Sequence, residues 1–93
     1  MTQLTALKEL AEKVEADNWR WEVRLAAALP VEAYDAFHGS LDAAKALHEA
    51  VLPDTTYVIC PDYVYVGGKQ CKGDPARAWL LAIIRAKISE LET

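Results

Sequence analysis

The sequence from residue 55 to residue 90 reads TTYVICPDYVYVGGKQCKGDPARAWLLAIIRAKISE and carries the strongest signals for the fold. Two β-rich runs, at 55–60 and 63–66, are separated by the turn-forming residues Pro61 and Asp62. Two such runs around a two-residue turn predict a β-hairpin. Gly67 and Gly68 predict a second turn, after which residues 69–72 are predicted to form a short third strand.

The hairpin register assigns alternate residues to opposite faces of the predicted sheet. One face carries Tyr57, Ile59, Val64 and Val66. The other face carries Val58, Cys60, Tyr63 and Tyr65. Either a helix covers the tyrosine face, or that face stays exposed and is available for binding.

The signals after the third strand predict a long C-terminal helix. Gly73 interrupts the strand pattern, Asp74 is a typical N-cap, and Pro75 suits the first helical position. A wide apolar stripe then continues to the end of the chain, and its members are Trp79, Leu80, Ile83, Ile84, Ile88 and Leu91.

The first half of the chain is also predicted to be helical. A first helix has Thr2 as N-cap, and its apolar residues recur at helical spacing: Leu4, Leu7, Ala11 and Val14. Asp17 and Asn18 end it, with Asn18 in the left-handed cap conformation. Residues 19–29 alternate as a strand would. On a helical wheel, however, the apolar residues of this segment fall in one arc, which favours a helix that ends before Pro30. The residues of the arc are Trp19, Trp21, Val23, Leu25, Ala26 and Leu29.

Residues 31–39 are predicted to form a connecting turn, which includes a single turn of helix at 34–37. A further helix spans 41–52, with Ser40 as N-cap and an inward face formed by Leu41, Ala44, Leu47, His48 and Val51. The whole chain, residues 1–93, is therefore predicted to be a single α+β domain. Three to four helices pack on a small antiparallel sheet of two to three strands, in the order α-α-α-β-β-(β)-α.

The composition describes a small acidic domain. Among 93 residues, 53% are hydrophobic and 26% are charged, which is a globular balance. Ten Lys and Arg against 14 Asp and Glu give a net charge of −4. This charge argues against a protein that binds nucleic acid with its whole surface. No apolar run is long enough to cross a membrane, and no signal peptide pattern is visible. We expect a cytoplasmic protein that makes no membrane contact.

The residue types that usually carry catalysis do not occur in a catalytic pattern. His38 and His48 lack metal-ligand spacing, and His48 is expected to be a core or boundary residue. Cys60 and Cys71 are 11 residues apart, without a CxxC motif. The glycine pair before Lys69 lacks the frame of a phosphate-binding loop. We therefore predict no catalytic residue, no metal, no cofactor and no enzymatic activity.

Two surfaces are candidates for binding. The first is the tyrosine face with the residues predicted around it, namely Tyr63, Tyr65, Lys69, Cys71, Lys72 and Arg77. Tyrosines are enriched at protein interfaces. Open strand edges, or a disulfide through Cys71, provide a route to a homodimer. The second surface is an acidic patch on the first helix, formed by Glu9, Glu12, Glu15 and Asp17.

Three blocks of the chain resemble a known group of proteins. They read LTALKELAEKVEA (from Leu4), YDAFHGSLDAAKALHEAVLP (from Tyr34) and DPARAWLLAIIRAKISE (from Asp74). These blocks are similar to small proteins of alphaproteobacterial phages and prophages, some of which are described as α-β-α sandwiches. The hairpin looks shorter here than in typical members. The resemblance implies a viral or mobile-element origin and brings no catalytic residue.

Very short non-enzymatic phage proteins include inhibitors of host defence, among them anti-CRISPR proteins, so the resemblance suggests a class of function. The leading hypothesis is a phage-encoded protein that inhibits a host defence complex, such as a CRISPR effector subunit, by occupying a surface. The acidic patch would mimic DNA phosphates, or the tyrosines would dock a protein. The alternatives are a structural or regulatory phage protein and a small nucleic-acid-binding module that uses Lys69, Lys72 and Arg77.

Overall fold

The computed structural model describes residues 2–92, which form five α-helices and one three-stranded antiparallel sheet. The elements are α1 (Gln3–Glu15), α2 (Trp21–Ala26), α3 (Glu32–Phe37), α4 (Leu41–Val51), β1 (Tyr57–Ile59), β2 (Tyr63–Val66), β3 (Lys69–Lys72) and α5 (Pro75–Glu92). The α+β class and the order of helices, hairpin and C-terminal helix are as predicted, with one helix more than the three to four expected, because residues Glu32–Phe37 form α3. The ambiguous segment 19–29 contains a helix, and the third strand is present.

The predicted starts of three helices are confirmed by side-chain caps. Thr2 caps α1. The Ser40 hydroxyl accepts the N–H of Ala43 at 3.1 Å, and the Asp74 carboxylate accepts the N–H of Arg77 at 3.2 Å. Each cap satisfies a backbone donor that the first helical turn leaves without a partner, and such caps stabilise a helix by about 1 kcal/mol.

The first three helices end in the same chain reversal, the Schellman motif, in which the residue after the cap has a positive φ. These residues are Asp17 (φ 56°), Ala28 (φ 60°) and Gly39 (φ 102°). The prediction that Asn18 adopts this conformation is wrong by one position. Asn18 instead donates its N–H to the carbonyl of Lys13 at 2.8 Å, which closes the reversal around Asp17.

Helix α5 is the centre of the molecule. It packs against α1, α3, α4, β2 and β3, and every residue between 78 and 84 is buried. A helix that is apolar on every side is typical of a core position. α1 lies antiparallel to α5, with one ion pair between Lys8 and Glu92 at 2.9 Å and another between Glu15 and Arg85.

The sheet has one face covered by α5 and one face that α5 does not contact. The strands lie in the order β1-β2-β3, and the hairpin pairs Val58 with Tyr65 and Ile59 with Val64, as predicted. Val64 and Val66 are fully buried on the face towards α5. The opposite face is called the outer face below. It therefore meets no packed helix in the part of the chain that the structure describes.

Five residues predicted to face the core are exposed instead: Trp21, Leu25, Ala26, Leu41 and Leu91. Trp21 and Leu25 are exposed because α2 is short, and its six residues bury only Val23. The left-handed residue that follows then turns the chain so that Leu29 enters the core from the loop. Leu41 is the first residue of α4 and Leu91 belongs to the last turn of α5, so both lie at the ends of their helices.

Candidate functional site

The outer face of the sheet is an exposed surface with aromatic and aliphatic side chains. Strand pairing places Val58 beside Tyr65, Tyr65 beside Gln70, and Tyr63 beside Lys72. Val58 and Tyr65 are exposed, and Tyr63 is half-buried. Of the two alternatives for the tyrosine face, a covering helix or open exposure, the structure has the second.

The two tyrosines hold each other in place. Their ring centroids are 5.3 Å apart and their planes lie at 84°, which is the favourable edge-to-face arrangement. Cys60 lies opposite Tyr63 across the hairpin. A hydrogen bond between their side chains is the main reason that the pKa of Tyr63 is raised. An unperturbed tyrosine has a pKa of about 10, so the Tyr63 phenol is neutral at physiological pH with or without this shift.

Cys71 does not belong to this surface. It pairs with Val64, so its side chain points to the α5 face and is buried. The guanidinium of Arg85 lies 3.5 Å from Sγ. Burial raises the pKa of the Cys71 thiol, and Arg85 acts in the opposite direction. The prediction of Cys71 as an interface residue and disulfide route to a homodimer is wrong, because strand register puts the thiol inside.

The two free thiols are expected to differ in reactivity. The thiolate is the nucleophile, and Cys71 is both inaccessible and held in its protonated form by a raised pKa, whereas Cys60 is half-buried at the hairpin. Timed iodoacetamide labelling at neutral pH, followed by peptide mass spectrometry, is expected to modify Cys60 in the native protein and Cys71 only after denaturation. Equal labelling of both cysteines without denaturant would contradict the burial of Cys71.

Arg77 is a structural residue and not part of a basic surface. Its guanidinium pairs with Asp17 at 2.9 Å, donates to the carbonyl of Phe37 at 3.2 Å, and lies 4.2 Å from the centroid of the Phe37 ring. These contacts tie the end of α1 and the end of α3 to α5. The predicted basic cluster of Arg77 with Lys69 and Lys72 is wrong, since only the two lysines remain exposed and their strand positions assign them to opposite faces.

The acidic patch on α1 is partly neutralised within the molecule. Glu15 pairs with Arg85, and Asp17 pairs with Arg77. Glu12 is exposed and Glu9 is half-buried, and neither has an ion pair among residues 2–92. Two of the four predicted carboxylates therefore have internal partners, which weakens the resemblance of this surface to a row of DNA phosphates.

The histidines have structural surroundings. His48 is buried, as predicted, and its Nδ1 accepts the indole N–H of Trp79 at 3.2 Å. Its Nε2 therefore carries the proton and donates to the carbonyl of Thr55 at 2.7 Å. His38 is exposed and packs against the ring of Tyr34. Within residues 2–92, no three His, Cys, Asp or Glu side chains are grouped closely enough to hold a metal ion.

A second exposed apolar surface lies on α2, where the sequence interpretation placed core residues. Trp21 and Leu25 are four residues apart, so they share one side of the helix, and both are exposed. No local signal separates them from the buried Val23, because the strand-like alternation of the segment places Trp21, Val23 and Leu25 on the same face. Exposed tryptophan is frequent in binding hot spots, so this surface is a secondary candidate.

Comparisons with known protein families, with characterised proteins and with solved structures found no match. Among the helices in residues 2–92, none combines the length and the apolar character needed to cross a membrane. The site must therefore be interpreted from its own chemistry. That chemistry is an aromatic and aliphatic face of the sheet, and among the residues that pair across this face the only cation is Lys72.

Proposed function

We propose that this protein is a non-enzymatic binding protein that docks onto a protein partner through the outer face of its sheet. The observation that supports this proposal is the exposure of Val58 and Tyr65, beside the half-buried Tyr63, on a face against which no helix of residues 2–92 packs. Isolated exposed apolar residues are ordinary, but neighbouring ones on one rigid face are typical of an interaction site.

The residues on this face suit protein recognition better than nucleic-acid recognition. Tyrosine provides a large contact area with few rotatable bonds, and Gln70 and Lys72 provide a polar margin beside the two rings. A strand of nucleic acid would need several cations along its path. Arg77 is occupied by internal contacts, and the chain has a net charge of −4.

The resemblance to phage proteins adds a proposal about the partner. A phage protein without catalytic residues can act in the bacterial cytoplasm by occupying a surface of a host defence complex, such as a CRISPR effector subunit. Docking through Tyr63 and Tyr65 is favoured over phosphate mimicry by α1, because Glu15 and Asp17 are already paired with arginines.

A phage-plating assay in bacteria with active CRISPR systems tests this function. Expression of the wild-type protein is expected to restore plaque formation against at least one system. Tyr65→Lys is expected to abolish protection, because it places a charge in the centre of an apolar contact. Leu41→Lys is the matched control, since Leu41 is also a large exposed residue, 46% exposed, and lies on a different element.

Two outcomes would contradict the proposal. Protection by Tyr65→Lys equal to that of the wild type would show that the outer face is not the docking site. Absence of protection by the wild-type protein in every system tested, with expression verified, would overturn the choice of a CRISPR complex as the partner.

A further inference from the structure

Strand β1 is apolar and exposed along its whole length. The exposed fractions are 39% for Tyr57, 56% for Val58 and 41% for Ile59. Tyr57 contacts Trp79 and His48 through its ring, but α5 packs against β2 and β3 rather than under β1. This strand therefore has exposed apolar atoms on both of its faces as well as at its free edge.

The backbone of β1 offers hydrogen-bonding groups at that edge. Cys60 donates its N–H to Tyr63, and Gly67 donates its N–H to Thr56. In an antiparallel ladder the residues that bond to the neighbouring strand alternate, so Val58 also faces β2. It follows that the N–H and C=O groups of Tyr57 and Ile59 point outward, where another strand can pair with them.

The two edges of the sheet differ in how well they are protected against pairing with another chain. Strand β3 begins and ends with exposed lysines, Lys69 and Lys72, and charged side chains on an edge discourage pairing with another chain. Residues 55–60 carry no charge, and the first proline that would block pairing is Pro61. Only the β1 edge has the features of a strand that accepts a partner.

We propose that a second copy of this chain occupies the β1 edge, with the two β1 strands antiparallel and a two-fold axis at Val58. Tyr57 then pairs with Ile59 of the second copy, so each outward-facing residue meets an outward-facing residue. Val58 lies directly beside Val58 of the second copy on the outer face. The edge is self-complementary in this register, and a two-fold pairing closes after two copies.

The resulting dimer has one continuous six-stranded sheet. Its outer face joins the two tyrosine pairs of the two copies through the central valines, and the apolar atoms at the edge of β1 are covered. The proposal does not rest on docking to another protein, because it depends only on the edge geometry of β1.

Sedimentation velocity over a range of protein concentrations tests the dimer. The wild-type protein, 10.3 kDa as a monomer, is expected to shift to twice that mass as concentration rises. Val58→Lys places two ammonium groups side by side across the two-fold axis and is expected to remain monomeric at every concentration. Gln70→Lys adds the same charge to the outer face of β3 and is expected to dimerise like the wild type. Circular dichroism verifies that each variant is folded.

Disulfide formation tests the register. Laterally paired residues that do not hydrogen-bond have Cα atoms about 4.5 Å apart, which a disulfide can bridge. In a Cys60→Ser background, Val58→Cys is therefore expected to form a covalent dimer on mild oxidation, and Gln70→Cys is not. The proposal is overturned by a wild-type protein that stays monomeric, by dimerisation of Val58→Lys, by equal cross-linking of both cysteine variants, or by growth beyond two copies.

The docking proposal and the dimer proposal fail separately. Tyr65 lies one strand away from the two-fold axis, so Tyr65→Lys is expected to lose protection in the plating assay and to keep the dimer.

Discussion

Replacing Trp79 with alanine is expected to lower the free energy of unfolding by about 3–5 kcal/mol. Trp79 is 2% exposed, and its indole packs at 4.8 Å from the Tyr57 ring and 5.9 Å from the His48 ring. The substitution removes a large apolar volume where α4, α5 and β1 meet. It also leaves the buried Nδ1 of His48 without its donor, which adds a desolvation cost.

Urea unfolding followed by circular dichroism measures this effect, and Trp21→Ala is the matched control. Trp21 is 60% exposed, so the same substitution there is expected to change stability by no more than about 0.5 kcal/mol. Trp79→Phe keeps most of the ring and isolates the hydrogen bond to His48, with an expected loss of about 1–3 kcal/mol. Similar losses for Trp79→Ala and Trp21→Ala would contradict the placement of Trp79 in the core.

The second large effect is expected from Val64→Lys, which we predict to unfold the protein. Val64 is completely buried between β2 and α5. An unpaired buried charge costs several kcal/mol, and the total stability of a small domain is only about 5–15 kcal/mol. The lysine side chain cannot extend to water from the middle of the sheet, so the folded state loses a large part of its stability.

Val58→Lys is the control for this prediction because it makes the same change on the neighbouring strand and the opposite face. Val58 is 56% exposed, and at protein concentrations too low for the proposed dimer the lysine is expected to cost no more than about 0.5 kcal/mol. Thermal unfolding followed by circular dichroism compares the two variants. A folded Val64→Lys protein, or equal losses for both variants, would show that the sheet is not covered on one face and open on the other.

The elements that could be predicted from the sequence are those with local signals. Gly73, Asp74 and Pro75 mark the start of α5 within three residues, and strand alternation around Pro61 and Asp62 fixes the hairpin register. The burial of Cys71 could have been predicted by the same reasoning. The turn at Gly67 and Gly68 pairs Val66 with Lys69, and continuing that register places Cys71 opposite the buried Val64.

The contacts that could not be predicted join distant parts of the chain or depend on backbone conformation. The ion pair of Arg77 with Asp17 spans 60 residues, and no local pattern around either residue indicates it. The reversal after α2 uses Ala28 in a left-handed conformation that usually signals glycine, so no glycine marks the end of that helix and only Pro30, farther along the chain, limits it. The exposure of the outer face depended on where α5 packs, which the strand pattern does not determine.

The central position of α5 has a consequence for the order of folding. α1 packs against α5, and the buried face of the sheet packs against the same helix, yet α5 is the last element of the described chain to be synthesised. Until residues 75–92 have left the ribosome, the apolar faces of α1 and of β2 lack the helix that covers them in the folded domain. Folding must close a loop of nearly the whole chain, so we expect the collapse of this domain to follow synthesis rather than accompany it.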